Sequence, residues 1–72
     1  MEIFNERLKC IRKERKITQE KVAQHLSISN RAYQNYEYGN REPNIATLIK
    51  LADYFSVTVD YLVGHTDEQE KH

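Results

Sequence analysis

Hydrophobic residues recur along this chain at the spacing of amphipathic helices. Phe4, Leu8 and Ile11 are separated by four and three positions, with charged residues between them. This stripe predicts a first helix from about Asn5 to Arg15. Four later stretches are also interpreted as helices, and no strand is predicted. The pattern therefore predicts an all-α, compact five-helix domain.

Short polar residues mark the boundaries of the second and third helices. Thr18 can accept a hydrogen bond from the free N–H groups of a second helix. The segment 27–30 has the composition of a tight turn followed by an N-cap, which opens a third helix over about residues 30–37. Gly39 fits a left-handed C-cap, and Pro43 prevents the helix from resuming.

The fourth helix is predicted to be the centre of the core. It begins at Asn44 or Ile45, and Thr58 and Gly64 then begin and end a short fifth helix. The apolar residues that make the fourth helix dense are Ile45, Leu48, Ile49, Leu51, Ala52 and Phe55.

The length of 72 residues leaves room for one domain, which we place at residues 1–64, followed by a polar and flexible tail at 65–72. The longest apolar runs have two or three residues, whereas a membrane helix needs roughly 20. The first residues also lack the basic and apolar regions of a signal peptide. We therefore expect a cytoplasmic protein.

The residues available for chemistry exclude several classes of function. Cys10 has no second cysteine, and His25, His65 and His72 share no ligand spacing. No Ser-His-Asp set, pair of catalytic carboxylates or glycine-rich phosphate loop is recognisable. We expect no metal, no cofactor and no enzymatic activity.

Charge is unevenly distributed although the net charge is zero. Residues 1–42 hold nine Lys or Arg against six acids, and residues 43–72 hold two against five. A basic front and an acidic back would orient the molecule on DNA. The same blocks are also typical of the solvated faces of a small helical protein.

The third helix combines two tyrosines on one face with a row of polar side chains on the other. Asn and Gln can bind adenine bidentately in the major groove, and Arg can bind guanine in the same way. A solvated surface would also account for the row. Its members are Asn30, Arg31, Gln34 and Asn35.

Over roughly residues 3–64, the chain resembles the phage-repressor-like, or XRE-type, helix-turn-helix family. The matching stretches are 8–12, 17–26, 27–39 and 43–63, with Thr18-Gln19, Tyr-Glu-Tyr-Gly at 36–39 and Pro43 as the most specific features. The resemblance implies a lambda-repressor-like fold. It also implies a sequence-specific DNA-binding transcriptional regulator, a repressor that binds a palindromic operator through a recognition helix at 30–37.

The resemblance also implies a role for each polar side chain. Glu37 would pair with Arg12 as part of the scaffold. Tyr33 and Tyr36 occupy positions that are more often aliphatic, and we expect both rings in the core, with one hydroxyl as a candidate phosphate ligand. The residues that would meet bases are Asn30, Arg31, Gln34 and Asn35. Those that would contact the DNA backbone are Gln19, Asn40 and Arg41. The contacts of the last two would be made through main-chain N–H and the guanidinium.

The expected partners are a double-stranded DNA operator and a second copy of the chain, because a single domain of this size contacts only a few base pairs. The residues expected to form the homodimer contact are Val57, Val59, Tyr61 and Val63. An alternative is a module that binds protein, such as an antitoxin or anti-repressor, because a fold does not determine its function.

Overall fold

The computed structural model describes residues 2–69, and these residues contain helices and no strand. The five helices are α1 (Glu2–Glu14), α2 (Gln19–Leu26), α3 (Asn30–Tyr38), α4 (Ile45–Phe55) and α5 (Val59–Leu62). The predicted all-α, five-helix architecture is confirmed. Within the same residues, no helix has the length and apolar character needed to cross a membrane.

Each helix after α1 begins at a residue whose side chain caps it. Oxygen atoms of Thr18, Ser29, Asn44 and Thr58 accept the backbone N–H three residues further on, at 2.8–3.1 Å. These bonds satisfy donors that the first turn of a helix leaves free. The predicted starts of α2, α3, α4 and α5 are confirmed, because a cap and the N–H group it binds are only three residues apart. The first helix, predicted from about Asn5, begins three residues earlier, at Glu2.

The core lies where α1, α2 and α3 meet α4 and α5. Tyr33 is fully buried within the core cluster, as expected for its ring, and Tyr36 is half-buried against the same cluster. The two rings meet edge to face, with centroids 6.5 Å apart. The apolar side chains that form the core are Phe4, Leu8, Ile11, Val22, Ala23, Leu26, Tyr33, Leu48, Leu51, Ala52, Phe55, Val57 and Leu62.

The expectation that all apolar residues of α4 belong to the core is wrong for two of them. Ile45 is 75% exposed and Ile49 is 46% exposed. Ile49 follows Leu48 and is therefore rotated about 100° from it around the helix. Ile45 lies in the first turn, ahead of the first buried residue. Val57, expected at a dimer contact, is fully buried within this chain.

Residues 65–69 of the predicted tail contact the helices. Nη1 of Arg7 donates to the carbonyl of Thr66 at 2.5 Å, and the carbonyl of Gln69 accepts from the backbone at the start of α5. The boundary at residue 64 and the flexibility of the tail stay predictions. Residues 70–72 lie outside the described residues.

Candidate nucleic-acid interface

Helix α3 buries one face against the core and presents the other to solvent. Its buried members are Tyr33 and Glu37. Asn30 and Arg31 in its first turn are exposed, and the remaining two residues of the polar row are half-buried. Because positions one turn apart share a helix face, the polar row forms a strip along the outside of the molecule.

Glu37 is the buried centre of a polar cluster beneath this strip. Its side chain is 1% exposed, and its Oε2 lies 2.5 Å from Nε of Arg12, the predicted partner. Oε2 also accepts from the hydroxyl of Tyr33 at 2.5 Å. Oε1 accepts from Nη2 of Arg12 at 3.2 Å and from Nε2 of Gln19 at 3.1 Å. One carboxylate thus joins α1, α2 and α3.

The cluster determines the charge of its members. Burial alone would raise the pKa of Glu37, but hydrogen bonds from Arg12, Tyr33 and Gln19 outweigh it and lower the pKa below its usual value. Burial, followed by the hydrogen bond to Glu37, raises the pKa of Tyr33 far above its usual value. The hydrogen bond to Glu37 raises the pKa of Arg12. At neutral pH the cluster holds an ion pair and a neutral phenol.

Gln19 links the buried cluster to the polar strip. Its Oε1 accepts a hydrogen bond from Nε2 of Gln34 at 3.1 Å, while its own Nε2 donates to Glu37. Sequence reasoning named both glutamines but missed their contact. The two residues are fifteen positions apart, and only the packing of α2 against α3 brings them together.

A cavity of about 230 Å³ opens between α3 and the loop that follows it. Arg31 and Asn35 of the polar strip line it together with Arg41 of the loop. Its complete lining is Ser29, Arg31, Ala32, Asn35, Tyr36 and Arg41. The structure therefore brings two predicted base readers, Arg31 and Asn35, and one predicted backbone contact, Arg41, to a single concave surface.

The loop after Gly39 is fastened to the end of α3. Gly39 has φ of 83°, the left-handed conformation expected of it. The backbone N–H groups of Asn40 and Arg41 both donate to the carbonyl of Asn35, at 3.0 and 3.3 Å. These two N–H groups are thus engaged within the protein, while both side chains are exposed. A ligand at this loop would therefore be contacted by the side chains of Asn40 and Arg41.

Residues that bind metals do not gather in the part of the chain that the structure describes. No group of three or more His, Cys, Asp or Glu side chains is found there. Cys10 is an exposed free thiol. His25 packs its ring against Tyr54, with centroids 4.3 Å apart.

Helices α2 and α3 are both capped and are joined by a turn of three residues. A family model described as a helix-turn-helix domain matches residues 5–68. The chain belongs to the helix-turn-helix domain family. Residues 18–38, from the cap of α2 to the end of α3, form the helix-turn-helix unit of this domain.

Relatives in this family include transcriptional regulators of Bacillus subtilis. The chain is 43% identical over 68 residues, 93% of its length, to an uncharacterized HTH-type transcriptional regulator called YqaE. It is 37% identical over 68 residues, 94% of its length, to the HTH-type transcriptional regulator ImmR. The chain spans only 59% of YqaE and 54% of ImmR.

A solved structure shows the same fold bound to a DNA operator. The crystal structure of the P22 c2 repressor in complex with synthetic operator 9T superposes with a TM-score of 0.78 and 32% sequence identity. The match covers 83% of this chain and 91% of the repressor chain. The predicted repressor-like helix-turn-helix fold is confirmed.

Proposed function

We propose that this helix-turn-helix domain is a sequence-specific DNA-binding transcriptional regulator, acting as a repressor with α3 in the major groove. The polar strip on the outer face of α3 supports this proposal, and Gln19 of α2 contacts the strip through its hydrogen bond with Gln34. The major groove admits one helix, and side chains on the exposed face of that helix reach the base edges. The similar P22 c2 repressor was crystallised with its operator.

Within the strip, Arg31 is the strongest candidate for reading a base. It is exposed in the first turn of α3, where a recognition helix approaches the base edges. Its guanidinium can bind O6 and N7 of guanine together. Asn30, Gln34 and Asn35 supply amides for neighbouring base pairs.

Three further residues fix the position of the domain on the DNA backbone. Gln19 donates one of its two amide hydrogens to Glu37, which leaves the second for a phosphate. Arg41 supplies a charge in the lining of the cavity, and Asn40 precedes it in the loop with an exposed side chain. Contacts of this kind set register and carry no sequence information.

We also propose that two copies bind a palindromic operator as a homodimer in the cytoplasm. One domain of this size covers a short site, and a two-fold pair doubles the interface while matching the symmetry of the operator. The relatives named above are bacterial, and bacterial DNA lies in the cytoplasm.

Selection from random DNA duplexes, followed by titration of the selected site at several salt concentrations, tests the proposal. We expect one recurring sequence with two-fold symmetry, and an affinity that falls steeply as salt rises. A random duplex of equal length is the control. Binding that shows neither sequence preference nor salt dependence would contradict the proposal and indicate a module that binds protein.

A further inference from the structure

The hydrogen bonds between Glu37, Gln19 and Gln34 have a direction that the chemistry of the carboxylate determines. A charged carboxylate only accepts hydrogen bonds, whereas a glutamine amide accepts at its oxygen and donates at its nitrogen. Gln19 must therefore turn Nε2 toward Glu37, as the 3.1 Å contact shows. The reversed amide would place two oxygens against each other inside the protein.

The orientation of Gln19 then determines the orientation of Gln34. With Nε2 of Gln19 bound to Glu37, its Oε1 faces Gln34 and accepts from Nε2 of that residue at 3.1 Å. The Gln34 amide is half-buried at the edge of the strip. It retains Oε1 and one N–H hydrogen for a ligand, which are one acceptor and one donor.

One acceptor and one donor side by side match only some base edges. Adenine presents an N6 amino donor and an N7 acceptor in the major groove, while guanine presents two acceptors, O6 and N7. An amide that is free to rotate could offer both hydrogens to guanine. The amide of Gln34 cannot do so while Gln19 holds its nitrogen.

We infer that Glu37 is a positioning residue for specificity, which fixes the Gln34 amide through Gln19 and so makes Gln34 select adenine. This inference rests on the proposed function, because it needs α3 in the major groove. Glu37, which forms the buried ion pair with Arg12, then contributes to sequence specificity as well as to stability. Through Gln19, the Glu37 carboxylate determines which hydrogen-bond donor and acceptor Gln34 presents on the surface of α3.

The variant Glu37→Gln tests the inference because it keeps the shape and replaces an acceptor-only group with an amide. Gln19 and Gln34 can then both reverse. Selection from random duplexes with the wild type should show one adenine position preferred over guanine by about tenfold or more. In the variant, that preference should fall to within about twofold, with the other positions unchanged.

Tyr33→Phe is the matched control, because it removes one hydrogen bond to Glu37 and leaves the carboxylate in place. It should keep the adenine preference even where its melting temperature is lower. Equal loss of the preference in Tyr33→Phe and Glu37→Gln would show a general effect of destabilisation and overturn the inference. An unchanged preference in folded Glu37→Gln would overturn it as well.

A second variant keeps the test decisive if Glu37→Gln does not fold. Gln19→Met retains the pair of Arg12 and Glu37 and removes the amide between Glu37 and Gln34. It should lose the adenine preference at the same position, and a retained preference would overturn the inference. A wild-type protein that selects no sequence would instead overturn the proposed function, and this inference with it.

Discussion

The hydroxyl of Tyr33 donates a hydrogen bond to Oε2 of Glu37 at 2.5 Å, and both side chains are buried. Arg12 donates to the same oxygen from α1. A phenol at a core position thus completes the hydrogen bonding of a buried carboxylate. Consistent with this, every buried side-chain nitrogen and oxygen of the described residues has a hydrogen-bond partner.

Replacing Glu37 with Ala should destabilise the fold strongly. The change leaves the Arg12 guanidinium half-buried without its partner, and breaking a buried ion pair in this way costs about 3–5 kcal/mol. Urea unfolding followed by circular dichroism measures the loss. Glu14→Ala, at an exposed acid at the end of α1, is the control and should change stability by less than about 0.5 kcal/mol. Equal effects of the two changes would contradict a structural role for the pair.

Acid should weaken the fold through the same carboxylate. The pKa of folded Glu37 is lowered, while that of the unfolded chain is about 4.3. Its contribution is therefore complete above about pH 4.3 and is lost as pH falls through the lower folded pKa. The difference in unfolding free energy between wild type and Glu37→Gln should shrink below about pH 4. A difference that stays constant down to pH 2 would refute this.

High pH should weaken the fold through Tyr33. Its folded pKa is raised, chiefly by burial, above an unfolded value of about 10. The stability it contributes is complete below about pH 10 and is lost as pH rises beyond it, because only the unfolded phenol ionises. At pH 8, Tyr33→Phe should be less stable than wild type by about 1–3 kcal/mol. The difference in unfolding free energy between wild type and Tyr33→Phe should be smaller at pH 11 than at pH 8. An unchanged difference would count against a buried neutral phenol.

Gly39 should resist replacement because of its backbone. At φ of 83°, an Ala there adopts a conformation that L-residues disfavour by about 1–2 kcal/mol, and its Cβ also lies 2.5 Å from Nδ2 of Asn5. Gly39→Asn adds the same Cβ but tolerates this backbone better. Thermal melting should rank wild type above Gly39→Asn, and Gly39→Ala lowest. Equal melting temperatures for the two variants would indicate that the contact with Asn5, and not the backbone, sets the cost.

The parts of the fold that sequence predicts best are those encoded by neighbouring residues. Thr18, Ser29 and Gly39 act on helix ends a few positions away, so their roles follow from local chemistry. The sequence does not predict that Ile45 and Ile49 are exposed. Hydrophobicity shows which side chains can be buried, but whether a neighbouring helix covers them depends on the tertiary packing.

In the candidate site, too, some features follow from neighbouring residues and others from tertiary packing. Spacing shows that the four polar residues share one face of α3, because a helix has a fixed period. The contact from Gln34 to Gln19, and the cavity shared by Arg31 and Arg41, depend on how α2 and the loop pack against α3. No pattern within one helix carries that information.

A contact between a cationic side chain and the DNA backbone should be recognisable by its salt dependence. Arg41→Ala removes a cation, so the slope of log affinity against log salt should decrease by about one. Gln19→Ala removes a neutral donor, so the slope should change little in this variant. Fluorescence anisotropy across a salt series measures both. Identical slopes for wild type and Arg41→Ala would exclude a phosphate contact by Arg41.

The affinity of Arg31→Ala for the selected site and for random DNA shows whether α3 reads base sequence. A bidentate contact with guanine contributes about 1–3 kcal/mol of discrimination. We expect the variant to lose this much on the selected site and almost nothing on random duplexes, while its melting temperature is unchanged. Equal losses on both kinds of DNA would contradict it and leave the polar face of α3 as a solvated surface.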